Sequence, residues 1–214
     1  MRKTGKKSKH NSRKNSKNNP GKNQWEDHLT RKARSENYPA RSVYKLEEIQ
    51  NKFRVIKKND QVLDLGCAPG SWLLYAAKQV GKDGRVYGID LKPVEIKLPG
   101  NVSVIQDDIL NLDNKLFLTE IKKFNLILSD MAPATSGRKD VDALRSFELC
   151  NMALQVAQTF LASNGNFVCK IFQGNDFNSL QKNVKSKFKN CKIFKPKSCR
   201  KQSKEIYIIA KSRK

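Results

Sequence analysis

The sequence contains few of the residues on which several common enzyme chemistries depend. Only two histidines occur in 214 residues, His10 and His28, and both precede the region expected to form the core. A Ser-His-Asp triad, a zinc-dependent deaminase or an HExxH protease needs histidines in that core, so these classes are excluded. The five cysteines are an odd number without a CxxC pair. We therefore expect neither a disulfide framework nor a bound metal.

Long apolar runs are also absent. No stretch approaches the roughly 18 uncharged apolar residues of a transmembrane helix, and the basic N-terminus is not followed by the apolar segment of a secretory signal. The cysteines are best interpreted as small apolar residues in a reducing compartment. We expect a cytoplasmic protein without a membrane partner.

Acidic residues are scarce relative to basic ones, with 20 Asp and Glu against 43 Lys and Arg and a net charge of +23. Such an excess predicts a polyanionic partner, nucleic acid before an acidic membrane surface. Residues 1–24 carry nine Lys or Arg, no acid and almost nothing apolar. This composition predicts a disordered basic tail. Residues 25–214, which keep a charge of +14, are predicted to form one domain.

A second basic run lies near the C-terminus, where ten Lys or Arg and no acid occur between Phe177 and Lys204. Its residues are candidates for phosphate contacts in a nucleic acid, although a solvated basic face is the ordinary interpretation of a charge run. Four further basic residues could flank the same cleft: Arg31, Lys32, Arg34 and Arg41.

Strand-like and helix-like segments alternate after residue 25, which predicts an α/β fold with a mainly parallel sheet. The predicted strands are Gln61–Leu65, Arg85–Ile89, Val102–Ile105, Phe124–Ser129, Asn166–Phe172, Lys192–Lys195 and Glu205–Ala210. The predicted helices are Val43–Lys52, Ser71–Val80, Val141–Ala162 and Asp176–Phe188. The last two strands are separated by a loop too short for a helical crossover, so they should pair antiparallel.

A glycine-rich turn, Gly66–Ser71, follows the first strand and precedes a helix. It lacks the Gly-Lys-Ser/Thr of a Walker A loop and the spacing of a dinucleotide fingerprint, and Pro69 removes an amide that a pyrophosphate would use. The turn therefore suits an adenosine-type ligand without phosphates. Ligands bind beyond the carboxyl ends of parallel strands.

Acidic residues stand at the ends of the first three strands, as expected for binding the ribose hydroxyls and the exocyclic amine of such a ligand. The alternative is that they cap helices or lie in solvent. These residues are Asp64, Asp90, Asp107 and Asp108.

Three further residues predict a reaction site. Asp130 ends the fourth strand, and Lys170 lies inside the apolar run of the fifth, where a lysine is costly without a partner. Glu205 begins the last strand, which runs antiparallel, so its start lies at the edge where the parallel strands end. The topology therefore brings Glu205 towards Asp130 and Lys170. The alternative for Lys170 is that its chain extends to an edge of the sheet.

From about residue 25 to 211 the chain resembles the FtsJ/RrmJ-type large-subunit ribosomal RNA 2′-O-ribose methyltransferases, the RlmE family. Five stretches carry the resemblance: Pro39–Leu46, Asp64–Trp72, Ser129–Pro133, Lys170–Gly174 and Lys195–Tyr207. Two positions depart from the usual pattern, since Ser71 stands where a second glycine is common and Ala134 where asparagine is common.

The resemblance implies a Rossmann-like methyltransferase sheet of seven strands, the last one antiparallel, with helices on both faces. It implies a catalytic set of Lys45, Asp130, Lys170 and Glu205. Contacts to the cofactor S-adenosyl-L-methionine are implied for Gly70, Trp72, Asp90, Asp108 and Asp130.

The implied activity is methylation of the ribose 2′-hydroxyl of a uridine in 23S ribosomal RNA, by a monomer acting late in large-subunit assembly and not on DNA. Lys170 is the candidate base, provided that Lys45 and the cofactor's positive charge keep it neutral. Otherwise it positions and polarises the hydroxyl. A tRNA ribose methyltransferase and a non-catalytic RNA-binding assembly factor are the alternatives.

Overall fold

The computed structural model describes residues 24–114 and 123–214, so most of the predicted basic tail lies outside the described residues. The strands are β1 Gln61–Leu65, β2 Arg85–Asp90, β3 Val102–Gln106, β4 Phe124–Ser129, β5 Leu161–Phe172, β6 Phe188–Phe194 and β7 Glu205–Arg213. The helices are α1 Gln24–Ser35, α2 Val43–Phe53, α3 Ser71–Val80, a 3₁₀ helix Ile109–Asn114, α4 Lys139–Phe160 and α5 Phe177–Lys187.

The seven strands form one sheet in the order β3-β2-β1-β4-β5-β7-β6. Neighbours from β3 to β5 are parallel, whereas β7 runs antiparallel to both β5 and β6. The predicted fold class is confirmed, including the antiparallel last strand. Because β7 is reversed, its first residue, Glu205, lies at the carboxyl edge of the parallel strands, opposite Phe172 of β5.

Apolar side chains fill both faces of the sheet. One core packs β-strand residues against α4 and α5, with Leu154 and Leu180 among its buried members. The other packs the opposite face against α1, α2 and α3, with Leu46 and Leu73 fully buried. The strands alternate between these cores because successive side chains point to opposite faces. Lys170 and Tyr207, which are register partners, consequently share the face that carries α2 and α3.

Several boundaries differ from the sequence prediction by one to five residues, most of all where β5 and β6 begin. Helix α4 ends at Phe160 rather than at residue 162, and β5 begins at Leu161 rather than at residue 166, because Leu161 adopts extended geometry and pairs with Phe124. Helix α5 ends before Phe188, and β6 begins there rather than at residue 192. The ring of Phe188 stacks at 6.1 Å on Phe167 of β5, a contact that sequence periodicity does not reveal.

Helix α1 was missed by the sequence analysis. Its charged composition resembles that of the adjoining tail, and only one narrow stripe is apolar: Ala33 is buried and Leu29 packs against the same core. These two residues are four positions apart, a spacing that is typical of one face of a helix and that could have predicted α1. None of the helices described between residues 24–114 and 123–214 is long and apolar enough to cross a bilayer.

Candidate active site

Two ion pairs form a cluster at the carboxyl edge of the sheet. The Lys170 ammonium lies 3.0 Å from Asp130 Oδ1 and also donates to the Asp130 carbonyl oxygen. The Lys45 ammonium lies 2.8 Å from Glu205 Oε1. The structure thus brings together the four residues of the predicted catalytic set, from α2, the end of β4, β5 and the start of β7.

Charge and burial interact strongly in this cluster. Burial on its own would raise the pKa of the Asp130 carboxyl, but the charges of Lys170 and Lys45 and a hydrogen bond from Tyr207 outweigh it, so the pKa lies below its ordinary value. Glu205 behaves similarly, because the attraction of Lys45 outweighs burial and lowers its pKa. For Lys45, burial would lower the pKa, but Asp130 and Glu205 raise it. Both carboxylates and Lys45 are therefore charged at neutral pH.

Tyr207 is a site residue that the sequence analysis did not single out. Its side chain is fully buried, and its hydroxyl donates a 2.6 Å hydrogen bond to Asp130 Oδ1. The signal was present, because Tyr207 lies two residues after Glu205 on a strand and therefore points to the same face. Burial, followed by the charge of Asp130, raises the pKa of Tyr207 well above its ordinary range, so the phenol remains a donor.

The glycine-rich turn after β1 approaches this cluster closely. Gly66 has a φ of 74°, and a Cβ there would overlap the side chain of Met131, next to Asp130. Gly70 has a φ of 107° and precedes the first turn of α3, which has no side-chain cap. A residue with a Cβ would be strained at these positive φ values, whereas glycine is not. The backbone N–H groups at the start of α3 are thus left to a ligand or to water.

Asp90 and Asp108 both lie at the carboxyl edge of the sheet, as predicted, but their carboxylates already accept hydrogen bonds from backbone N–H groups. Asp90 accepts hydrogen bonds from the backbone N–H of Ala68 at 2.9 Å and of Lys92 at 2.8 Å, which fixes the glycine-rich turn against β2. Asp108 Oδ1 accepts from the N–H of Leu110 at 3.0 Å. The capping alternative therefore holds for Asp108 and coexists with the predicted cofactor contact, which stays a prediction.

The Trp72 side chain packs inside the protein rather than lining an open cofactor site. Its indole is buried, donates a 2.9 Å hydrogen bond to the Ser42 carbonyl, and lies 6.0 Å from the Tyr207 ring. The side chain thus joins α3 to the start of α2. A contact from Trp72 to a cofactor would have to use its backbone N–H in the first turn of α3.

Asp64 is buried at this edge without the hydrogen bonds that a buried carboxyl group usually makes. Both of its carboxylate oxygens are buried without a hydrogen-bond partner in the part of the chain that the structure describes. Burial, then the nearby charges of Asp130 and Asp90, raise its pKa well above the ordinary value. Unpartnered buried oxygens and glycine turns without room for a Cβ fit a cationic, adenosine-type ligand better than a phosphate.

Several basic residues suggested for phosphate contacts have structural partners. Lys32 lies 3.7 Å from Glu36 and over the Tyr44 ring. Arg41 donates a 2.8 Å hydrogen bond to the Ser198 carbonyl. Phosphate binding by these two residues would therefore compete with existing contacts and stays a prediction.

The fold and the site define a class. A sheet with one reversed strand, a glycine-rich turn after β1, and a lysine–carboxylate cluster beside that turn together are typical of Rossmann-like methyltransferases. A family model described as FtsJ-like methyltransferase matches residues 38–213. The chain belongs to that family and is an enzyme.

Relatives of this chain have consistent names. A protein from Desulforapulum autotrophicum named Ribosomal RNA large subunit methyltransferase E is 60% identical over 91% of this chain and 96% of its own length. One of the same name from Bdellovibrio bacteriovorus is 47% identical over 88% of this chain and 97% of its own length. The resemblance found in the sequence is confirmed.

Solved structures agree with the fold. A Plasmodium falciparum protein described as a proposed ribosomal RNA methyltransferase is 34% identical, with a TM-score of 0.71 over 82% of this chain and 98% of that chain. Aeropyrum pernix fibrillarin, solved with bound S-adenosyl-L-methionine, is 17% identical, with a TM-score of 0.59 over 79% of this chain and 76% of its own. This second likeness concerns the fold alone.

Proposed function

We propose that this enzyme uses S-adenosyl-L-methionine to methylate the ribose 2′-hydroxyl of a uridine in 23S ribosomal RNA, late in large-subunit assembly. The observation that carries the proposal is the pair of lysine–carboxylate contacts, Lys170–Asp130 at 3.0 Å and Lys45–Glu205 at 2.8 Å, beside the glycine-rich turn. The names of the relatives that cover nearly the whole chain support ribosomal RNA as the substrate.

The residues at the glycine-rich turn fit such a cofactor. The first turn of α3 offers backbone N–H groups after Gly70, and Asp90 supplies a carboxylate at the turn. A positively charged ligand there would also stabilise the ionised form of Asp64, whose oxygens have no hydrogen-bond partner among the described residues. When bound, the cofactor supplies an electrophilic methyl group on a sulfonium. The part of this chain is then to hold the ribose oxygen in line with that methyl group and to manage its proton.

The cluster is suited to a hydroxyl rather than to a base carbon. In this proposal Lys170 contacts the 2′-oxygen; its ion pair with Asp130, which also accepts a hydrogen bond from Tyr207, supports that role. Lys45, held by Glu205, adds positive charge where an alkoxide would develop. The cysteine beside Lys170, Cys169, is buried and points to the opposite core. Cys199 lies beside Glu205, but burial and then the nearby Glu205 raise the pKa of its thiol. Within the described residues, no activated thiolate is therefore placed for attack on a base.

A balance of charges decides whether Lys170 removes the proton or polarises the hydroxyl. Only a neutral amine accepts a proton, whereas an ammonium orients the oxygen and stabilises its developing charge. If Lys170 is the base, the single-turnover rate rises with pH, because only the neutral amine accepts the proton. If it acts as a cation, the chemical step shows no such rise.

The reaction product tests the proposal directly. Large ribosomal subunits from cells that lack this protein are incubated with the enzyme and S-adenosyl-L-methionine, and the RNA is then digested with alkali. A 2′-O-methyl group blocks attack on the adjacent phosphate, so mass spectrometry should find one dinucleotide with an extra methyl group. A methyl group recovered on a mononucleotide base would overturn the ribose assignment.

The same assay with other nucleic acids tests the assembly stage and the class of RNA separately. Protein-free 23S RNA tests the late assembly stage, because it should react more slowly than assembled subunits. Transfer RNA tests the nearest alternative, and DNA should be inert because it lacks the 2′-hydroxyl. Faster reaction with tRNA would move the substrate assignment to that class. One chain supplies all four cluster residues, so the site needs no second copy, and we propose that the enzyme acts as a monomer. Ribosomal RNA as the substrate would place this action in the cytoplasm.

A further inference from the structure

The loop from residue 195 to 204 joins β6 to β7 and ends directly before Glu205. It contains five Lys or Arg and no acid. Like charges in so short a segment repel one another, and the loop has no regular secondary structure to fix it. The position of Glu205, however, depends on how this loop enters β7. The contacts that hold the loop therefore bear on the active site.

Glu48 of α2 binds this loop through both of its carboxylate oxygens. Oε2 accepts a 2.6 Å hydrogen bond from the backbone N–H of Lys197, and Oε1 accepts a 2.8 Å hydrogen bond from that of Ser198. Arg41, before the start of α2, donates to the Ser198 carbonyl at 2.8 Å. Hydrogen bonds to a charged acceptor are stronger than neutral ones, so these contacts fasten the first half of the loop to α2.

The same helix holds the far end of the loop through a second residue. Lys45 lies three positions before Glu48, so both side chains project from one side of α2, and Lys45 pairs with Glu205 at 2.8 Å. Helix α2 thus binds the loop near its beginning, through Glu48, and binds the residue that follows its end, through Lys45. Between these points, Cys199 directly follows the bound Ser198, is buried, and lies near enough to Glu205 to lower the pKa of its carboxyl.

We propose that Glu48 is a positioning residue for methyl transfer. By binding two consecutive backbone N–H groups of the basic loop, it fixes Glu205, and through Glu205 it fixes the Lys45 ammonium near the reacting hydroxyl. This inference rests on the proposed function. A displacement of about 1 Å in a catalytic group can cost about a hundredfold in rate, so loosening a loop beside the cluster should slow the chemical step while leaving the cofactor turn intact.

The variant Glu48→Gln tests this role with little change in volume. An amide offers one acceptor oxygen and one NH₂ group, so one loop N–H loses its partner and faces a donor instead. We expect kcat on large subunits from cells lacking the protein to fall at least about tenfold. The dissociation constant for S-adenosyl-L-methionine should stay within about twofold, and exchange of the backbone N–H groups of residues 197–200 with deuterium should accelerate.

Glu47→Gln is the matched control. It removes the same charge one residue earlier on α2, at a side chain that accepts no hydrogen bond from this loop in the described part of the chain, and it should behave like the wild type. If Glu48→Gln fails to fold, Glu48→Asp keeps the charge but shortens the reach by one methylene group, and should also lower kcat. Wild-type kcat in the folded Glu48 variants would overturn the inference.

A double-variant cycle shows whether Glu48 acts through Glu205. In single-turnover experiments Glu205→Gln alone should be slow, and Glu48→Gln should add little further loss because the pair it positions is already broken. Losses that multiply would mean that Glu48 acts elsewhere, and would overturn this inference while the proposed function stands. A wild-type enzyme that methylates no ribose at all would instead overturn the proposed function.

Discussion

Tyr207 and Lys170 meet at a single oxygen atom, Asp130 Oδ1, at 2.6 Å and 3.0 Å respectively. Their backbones are directly opposite each other in the antiparallel pairing of β5 and β7, so the reversal of one strand places a phenol and an ammonium side by side. The carboxylate is largely buried, with 17% of its side chain exposed, and the two donors help to keep it ionised. Asp130 therefore has the role of a fixed negative centre that orients Lys170.

The first prediction concerns the hydrogen bond from Tyr207. Tyr207→Phe should lower the free energy of unfolding at pH 7 by about 1.5–3 kcal/mol, the typical contribution of a hydrogen bond to a charged group. The measurement is urea denaturation of the wild type and the variant under identical conditions. A change in the denaturation midpoint without a change in slope would show that only stability was affected.

The pH dependence of that difference follows from the direction of the Asp130 pKa. Because the native pKa lies below the ordinary value of 3.8, ionised Asp130 stabilises the fold above pH 3.8, and this contribution is lost as the pH falls through the native pKa. Tyr207→Phe moves the native pKa up towards 3.8. The difference in stability should therefore be full at pH 7 and shrink below pH 3.8. A difference that is constant with pH would contradict this account of Asp130.

The second prediction concerns Lys170. Lys170→Ala should abolish turnover while leaving the affinity for S-adenosyl-L-methionine near that of the wild type, because in the proposed mechanism the side chain acts on the ribose oxygen in the transition state. Calorimetry measures the affinity, and single-turnover methylation of large subunits measures the chemistry. Normal turnover by this variant would remove Lys170 from the mechanism, and Asp130 would then have a purely structural role.

The convergence of Lys170, Asp130 and Glu205 could be predicted from the sequence because it depends on strand order alone. The carboxyl ends of parallel strands share one edge, and a reversed last strand brings its first residue to that edge. Lys45 entered only through the family resemblance, since no spacing rule places a helix residue on that edge. The loop contacts of Glu48 were beyond prediction, because they join residues about 150 positions apart.

Asp90 shows why the role of a single acid is hard to assign. The sequence placed it at the end of β2, but both of its oxygens already serve backbone N–H groups. Carboxylates that cap a turn and carboxylates that bind a ligand occupy the same positions in the sequence. Only the structure shows that Asp90 shapes the turn in addition to any cofactor contact.

The third prediction follows from that double role. Asp90→Ala should weaken binding of S-adenosyl-L-methionine by about 1.5–3 kcal/mol, the contribution of hydrogen bonds to a charged acceptor. Isothermal calorimetry provides the measurement. Asp83→Ala is the matched control, because Asp83 is exposed and lies before the opposite end of the same strand. Equal affinities in the wild type and Asp90→Ala would refute the assigned contact between Asp90 and the cofactor.

The last prediction concerns the basic tail, which stays a sequence-based expectation. We expect a chain that begins at Gln24 to unfold at the same urea concentration as the full chain and to bind S-adenosyl-L-methionine equally well, since the described fold and site begin at that residue. Its binding to protein-free 23S RNA should be weaker. The nine Lys or Arg of the tail release counterions when they approach phosphates, and each neutralised phosphate contributes about 0.7–0.9 to the slope of log affinity against log salt concentration. Removal of the tail should therefore flatten that slope.

A full-length variant with these nine residues changed to Ser or Asn controls for length and should match the truncated chain. If the truncated chain keeps the full slope, the phosphate contacts come from the folded domain, and the basic run from Phe177 to Lys204 becomes the first candidate for them.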